Sequence, residues 1–172
     1  MNVSKLLRDS KLRVSNNTLN ASSDVSLKTV DHLLRSLCSG HSDVSEEDSC
    51  SMKEVAQFVK EIAATHLNVR YILIAHICGL PHSLQLLFLE ILPSILSISI
   101  TASLIEEVVS QLKKMLENDN TLLLPIIGVM VDIPLPSHIT SELAQLAENA
   151  LSIVEEADLP LLFRTLIRSL GQ

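Results

Sequence analysis

Apolar residues recur along this chain at the three- and four-residue steps of a helix, and proline interrupts them. Leu27, Val30, Leu33, Leu34 and Leu37 line one face and predict a helix over 26–38, ended by Gly40. Met52, Val55, Phe58, Val59 and Ile62 form a second stripe, with Lys53, Glu54, Lys60 and Glu61 facing outward. Ser51 followed by Glu54 reads as a capping box that starts this helix. Leu104, Val108, Val109, Leu112, Met115 and Leu116 predict another helix, capped by Thr101 or Ser99 and running to Glu117. Its outer face carries Glu106, Glu107, Lys113 and Lys114. Asn118 to Asn120 then read as a turn and Thr121–Asp132 as a short apolar helix. Ser137–Glu155 is a further amphipathic helix, and Leu159–Leu170 a last buried one.

The second half repeats itself. Leu-Pro pairs fall at residues 80, 92, 124, 135 and 159, and Ile100-Thr101 returns as Ile139-Thr140 after 39 residues. At the same offset, Leu104, Val108, Leu112 and Met115 match Leu143, Ala147, Leu151 and Val154. A fixed period of this size, helical in spacing and punctuated by proline, is the mark of stacked helix pairs. The expected fold is all-α: a HEAT- or armadillo-like helical repeat, an α-solenoid segment, over residues 52–172. Each pair has one amphipathic and one mostly apolar helix, and the apolar member needs a neighbour on either side. The mostly apolar helix just before Gln172 therefore predicts a continuation into a longer solenoid.

Before the repeat the pattern weakens. Residues 1–25 hold a short basic amphipathic piece around Leu6, Leu7 and Leu12, then a polar run, and predict a disordered N-terminus. Residues 39–51, rich in Ser and acid, predict a linker. From Tyr71 to Ile105 the chain is strongly apolar, so a membrane span over Leu84–Ile100 is weighed. That window has 17 residues and contains Glu90 and Pro93. A span needs about 20 apolar residues, and a central charge costs about 3 kcal/mol. Buried solenoid helices fit better, and no membrane partner is expected.

Composition narrows the function classes. The chain has 172 residues, 47% of them hydrophobic, with three Phe, one Tyr and no Trp, so the usual anchors of base stacking are nearly absent. Residues 1–70 carry nine acidic and nine basic side chains, whereas residues 71–172 carry eleven acidic and four basic. An acidic surface repels phosphate backbones, and direct DNA contact by this segment is not expected.

Little here suggests reaction chemistry. Cys38, Cys50 and Cys78 share no metal or redox spacing, which points to free thiols. His66, His76 and His82 do not fall on adjacent turns, and Gly79 and Pro81 separate Cys78 from His82, so no metal site is expected. Glu46-Glu47, Glu106-Glu107 and Glu155-Glu156 are adjacent in sequence; on a helix such neighbours point about 100° apart and make a solvated face rather than an acid–base pair. No phosphate loop or nucleophile signature is present, so neither catalysis nor a cofactor is expected. Ser110, before Gln111, and Ser45, before Asp48, are the candidate phosphorylation sites.

Three ordered stretches resemble one family. Leu80–Leu96, closing on Leu92-Pro93-Ser94-Ile95-Leu96, is similar to a leucine-rich segment in the N-terminal solenoid of the Fanconi anaemia group D2 protein family. The resemblance continues through Glu117–Ile127 and ends in Leu151–Phe163, where a helix is followed by acid, Asp158, Leu159, Pro160 and an apolar helix. It covers residues 71–170; residues 1–50 match nothing in it. It implies a segment of a larger nuclear protein that pairs with the Fanconi group I paralogue, clamps DNA and acts in interstrand crosslink repair. That family is also a ubiquitin-conjugation substrate, but neither Lys113 nor Lys114 matches the acceptor's context. Two alternatives stand beside it: a HEAT-like adaptor unconnected with DNA repair, and a small membrane protein.

Overall fold

In a computed structural model, residues 3–16, 23–39, 46–97, 101–133, 135–151 and 155–170 are described. Among them every regular element is helical, and no strand occurs. They fall into two compact units, Met1–Ile100 and Thr101–Gln172.

The first unit contains α1 (Val3–Asn16), α2 (Ser23–Ser39), α3 (Glu46–Thr65), α4 (Asn68–Ile77) and α5 (His82–Leu96). Helix α1 packs on α2 and α3, α2 on α4, and α3 on both α4 and α5. The expected stripes are the buried ones: Val30, Leu33, Leu34 and Leu37 from α2, and Met52, Val55, Phe58, Val59 and Ile62 from α3. Leu73 and Ile77 of α4 and Leu84, Phe88 and Leu92 of α5 complete the core. Each such side chain contributes about 1.5–3 kcal/mol by leaving water. Arg70, only 1% exposed, is buried with them, and burial lowers its pKa.

Three sequence expectations fail in this unit. The N-terminus, expected disordered over 1–25, is helical over Val3–Asn16, with Val3, Leu7 and Ser10 buried at helical spacing. Tertiary contact supplies what the weak pattern lacks: Ser4 and Ser51 hydroxyls hydrogen-bond at 2.5 Å, and Lys11 pairs with Glu54 at 3.2 Å. The linker expected over 39–51 overlaps α3, which begins at Glu46. Ser51 is consequently a buried position inside α3, and it is no cap. Helix α2 also reaches past its expected bounds of 26–38 by a few residues at its start and one at its end; Gly40 lies outside the described residues.

The join between α4 and α5 is closed by side chains. Gln85 Nε2 donates to the carbonyls of Ile77 (3.2 Å) and Cys78 (3.1 Å), filling acceptors that the end of α4 leaves open. A Cβ on Gly79 would lie 3.2 Å from Cys38 Sγ, so the turn passes α2 closely. Pro81 starts α5, while Pro93 lies inside its last turn and the helix continues through it.

The second unit contains α6 (Ala102–Asn118), α7 (Leu123–Asp132), α8 (Ser137–Ala150) and α9 (Leu159–Leu170), with 3-10 turns at Asn120–Leu122 and Glu156–Asp158. Helix α6 packs on α7, α7 on α8 and α9, and α8 on α9. Thr101 caps α6, its Oγ1 accepting from Leu104 N at 3.3 Å, as its sequence position predicts. Asp119 Oδ1 accepts from the Thr121 amide (2.9 Å) and hydroxyl (2.7 Å), setting the turn into α7. Leu104, Val108, Leu112 and Met115 are buried, as are Leu143 and Ala147. Leu116, expected inward, is half-buried.

The 39-residue register is imperfect in three dimensions. Thr101 stands before its helix, whereas Thr140 lies inside α8, buried, with its hydroxyl donating to Pro136 O at 3.2 Å. Helix α8 ends at Ala150, short of the expected Glu155; Leu151 is its half-buried C-cap, and Val154 lies outside the described residues.

Candidate interaction site

A groove of about 490 Å³ runs along the second unit between α6 and α8. Helix α6, with the turn after it, lines one side with Lys113, Leu116, Glu117 and Asn120. Helix α8 lines the other with Glu142, Gln145, Leu146 and Asn149. The α8 set steps by three, one and three and is a single helical face; on α6 Lys113, Leu116 and Glu117 share a face, and Asn120 follows beyond the extended Asp119. These faces lie beside the core stripes: on α8 the buried set is Ile139, Leu143, Ala147 and Ala150.

Lys113 Nζ forms an ion pair with Glu142 Oε2 across the groove. It joins the first lining residue of α6 to the first of α8. The hydrogen bond from Lys113 lowers the pKa of Glu142 against the opposing effect of burial, and the charges of Lys113 and His138 add to it. Leu116 and Leu146 are half-buried and give the groove an apolar floor. Asn120 and Gln145 carry side-chain amides at its edges, each both donor and acceptor, and Asn149 also lines it.

The candidates marked in the sequence lie elsewhere. Ser110 is exposed on α6, one turn before Lys113 on the same face. Ser45 lies outside the described residues. The histidines and cysteines do not converge: among the described residues no group of three or more His, Cys, Asp or Glu is placed to hold a metal ion. His76 Nε2 instead lies 2.8 Å from Asp31 Oδ1, while Arg35 Nε bonds the other oxygen of Asp31 at 2.9 Å. Burial of Asp31 opposes its ionisation, but the hydrogen bonds from His76 and Arg35 outweigh it and hold its pKa below the usual carboxylate value. Cys38 Sγ donates to His76 O at 3.7 Å, and burial raises its pKa, which disfavours the reactive thiolate. Glu106 and Glu107 are exposed on α6, as are Glu155 and Glu156 near the start of α9.

Of the window weighed as a membrane span, residues 84–96 belong to α5, a helix of 15 residues, and residues 98–100 lie outside the described residues. Among the described residues no helix is long and apolar enough to cross a membrane. Two pairs of large apolar side chains are exposed one turn apart: Leu67 with Tyr71, and Phe163 with Ile167.

No protein-family model, no curated protein and no solved structure matches this chain.

The sequence pattern did not single out the groove. Its walls are polar positions that periodicity assigns to solvent, and only the approach of two helices turns them into one surface. A signal was nonetheless present, because Lys113 and Glu142 begin sets of identical sequence spacing, 29 residues apart.

Proposed function

We propose that the chain is a non-catalytic helical-repeat segment that works by protein–protein contact. Its place is within a larger nuclear protein of the Fanconi anaemia group D2 type, acting in interstrand crosslink repair. The succession of helices carries this reading. In the first unit α1 packs on α2 and on α3, α2 on α4, and α3 on α4 and α5, the neighbour relations expected of helix pairs stacked one upon the next. In the second, α6 packs on the apolar α7, α7 on α8 and α9, and α8 on α9, while the Lys113–Glu142 pair joins α6 to α8. The HEAT-like assignment extends these relations to a repeating solenoid.

The Fanconi assignment rests on the three ordered stretches within residues 71–170. The acidic excess of residues 71–172 favours a structural or partner-facing role over a grip on DNA, which falls to the larger assembly. Co-precipitation of a longer chain containing this segment with the Fanconi group I paralogue tests the assignment; failure to pair would remove it. Imaging after crosslink damage separates it from the general adaptor, since an adaptor unconnected with repair would stay off chromatin.

A further inference from the structure

The polar walls of the α6/α8 groove are not needed for the core, yet they face each other across an apolar floor. We propose that this groove binds an extended peptide segment of a partner protein, one that presents an aliphatic side chain next to a lysine or arginine. The proposal rests on the protein–protein reading above and is independent of the Fanconi assignment.

Size comes first: about 490 Å³ falls within the range of clefts that enclose a few side chains. The floor of Leu116 and Leu146 offers an aliphatic group a place out of water. At the edges, Asn120 and Gln145 each carry an N–H donor and a C=O acceptor. An extended backbone carries the same two groups in alternation, and it recruits such amides without demanding a particular sequence.

Charge then selects the neighbour of the aliphatic residue. Lys113 is engaged by Glu142, so the one basic group of the lining is neutralised and Glu117 remains as surplus negative charge. A cation beside Glu117 gains an ion pair at the rim. A nucleic-acid phosphate there would face the surplus charge of Glu117 and be repelled.

The test uses the full chain and fluorescence anisotropy. The probe is fluorescein-labelled Gly-Ser-Leu-Lys-Leu-Lys-Ser-Gly, with the matched peptide carrying Glu in place of Lys as comparison. The basic peptide should bind saturably, with a Kd in the range of about 10–100 µM, and the acidic one at least about tenfold more weakly. Glu117→Lys and Gln145→Ala change exposed positions, so folding is retained; each should weaken the basic peptide, Glu117→Lys by about tenfold. Glu106→Lys makes the same charge change on α6 outside the groove and should leave binding within about twofold of the parent.

Equal binding of the two peptides would overturn the proposal, as would absence of saturable binding by the basic one. Equal weakening by Glu106→Lys and Glu117→Lys would reduce it to bulk charge attraction and overturn it. So would a short single-stranded oligonucleotide that displaces the peptide. A longer chain that fails to pair with the group I paralogue would remove the Fanconi assignment while leaving this peptide binding intact.

Discussion

Lys113 on α6 and Glu142 on α8, 29 residues apart in sequence, form an ion pair that spans one end of the groove. Both side chains are about half exposed, 47% and 51%, so solvent screens the pair and its worth is small. A double-mutant cycle on Lys113→Ala and Glu142→Ala should give a coupling of about 0.5 kcal/mol by urea denaturation. Raising the salt from low ionic strength to about 1 M should remove most of it. A coupling above about 2 kcal/mol would show a pair far more shielded than its exposure indicates.

Asp31 is a stronger electrostatic anchor because it serves two helices, taking Arg35 from its own α2 and His76 from α4. Its pKa is lowered on folding, so its contribution is present above the unfolded carboxylate value of about 4 and is lost as pH falls through the lower folded value. Asp31→Asn should therefore cost about 1 kcal/mol near neutral pH, and the difference from the parent should shrink below about pH 4. Urea midpoints measured across that range decide it; a gap that widened on acidification would contradict the assigned direction.

Phe88, fully buried on α5, is the largest apolar side chain at the centre of the first unit. Phe88→Ala should destabilise by about 3–5 kcal/mol through lost burial and the remaining cavity. Chemical denaturation of the full chain reads this; a loss below about 1 kcal/mol would mean that the site is not packed as described.

Thr101 caps α6 through one bond to Leu104 N. Thr101→Ala should cost about 1 kcal/mol, and Thr101→Ser or Thr101→Asp should restore most of it. Equal losses for alanine and serine would place the start of α6 elsewhere.

The two halves of the chain were not equally legible. The existence and order of α6 to α9 follow from their sequence, and Thr101 marks the start of α6, but α8 stops at Ala150 and α9, expected to be buried, exposes Phe163 and Ile167. Helix α1 could not be read the same way, since Val3 and Leu7 are few and are buried only by contact with neighbouring helices. At residues 46–51 composition misled: acid and serine describe linkers, yet α3 begins at Glu46. Arg70 also escaped notice, although it lies three, four and seven residues before the buried Leu73, Ile74 and Ile77 and so on their face. The groove was the least legible, because a face pointed at solvent in one helix becomes a wall only when a second helix arrives beside it.

Helix α8 carries its buried stripe and its groove face at a constant angle about one axis, with Leu143, Ala147 and Ala150 on one and Glu142, Gln145, Leu146 and Asn149 on the other. That geometry determines which changes of length the chain can absorb. A residue inserted between Leu143 and Gln145 would turn everything after it by about 100°, so that no single placement of the helix satisfies both faces. A residue inserted in the link between α7 and α8 would leave both faces intact and change only the connecting path. Natural variation in length should accordingly collect between the helices and be excluded from within α8.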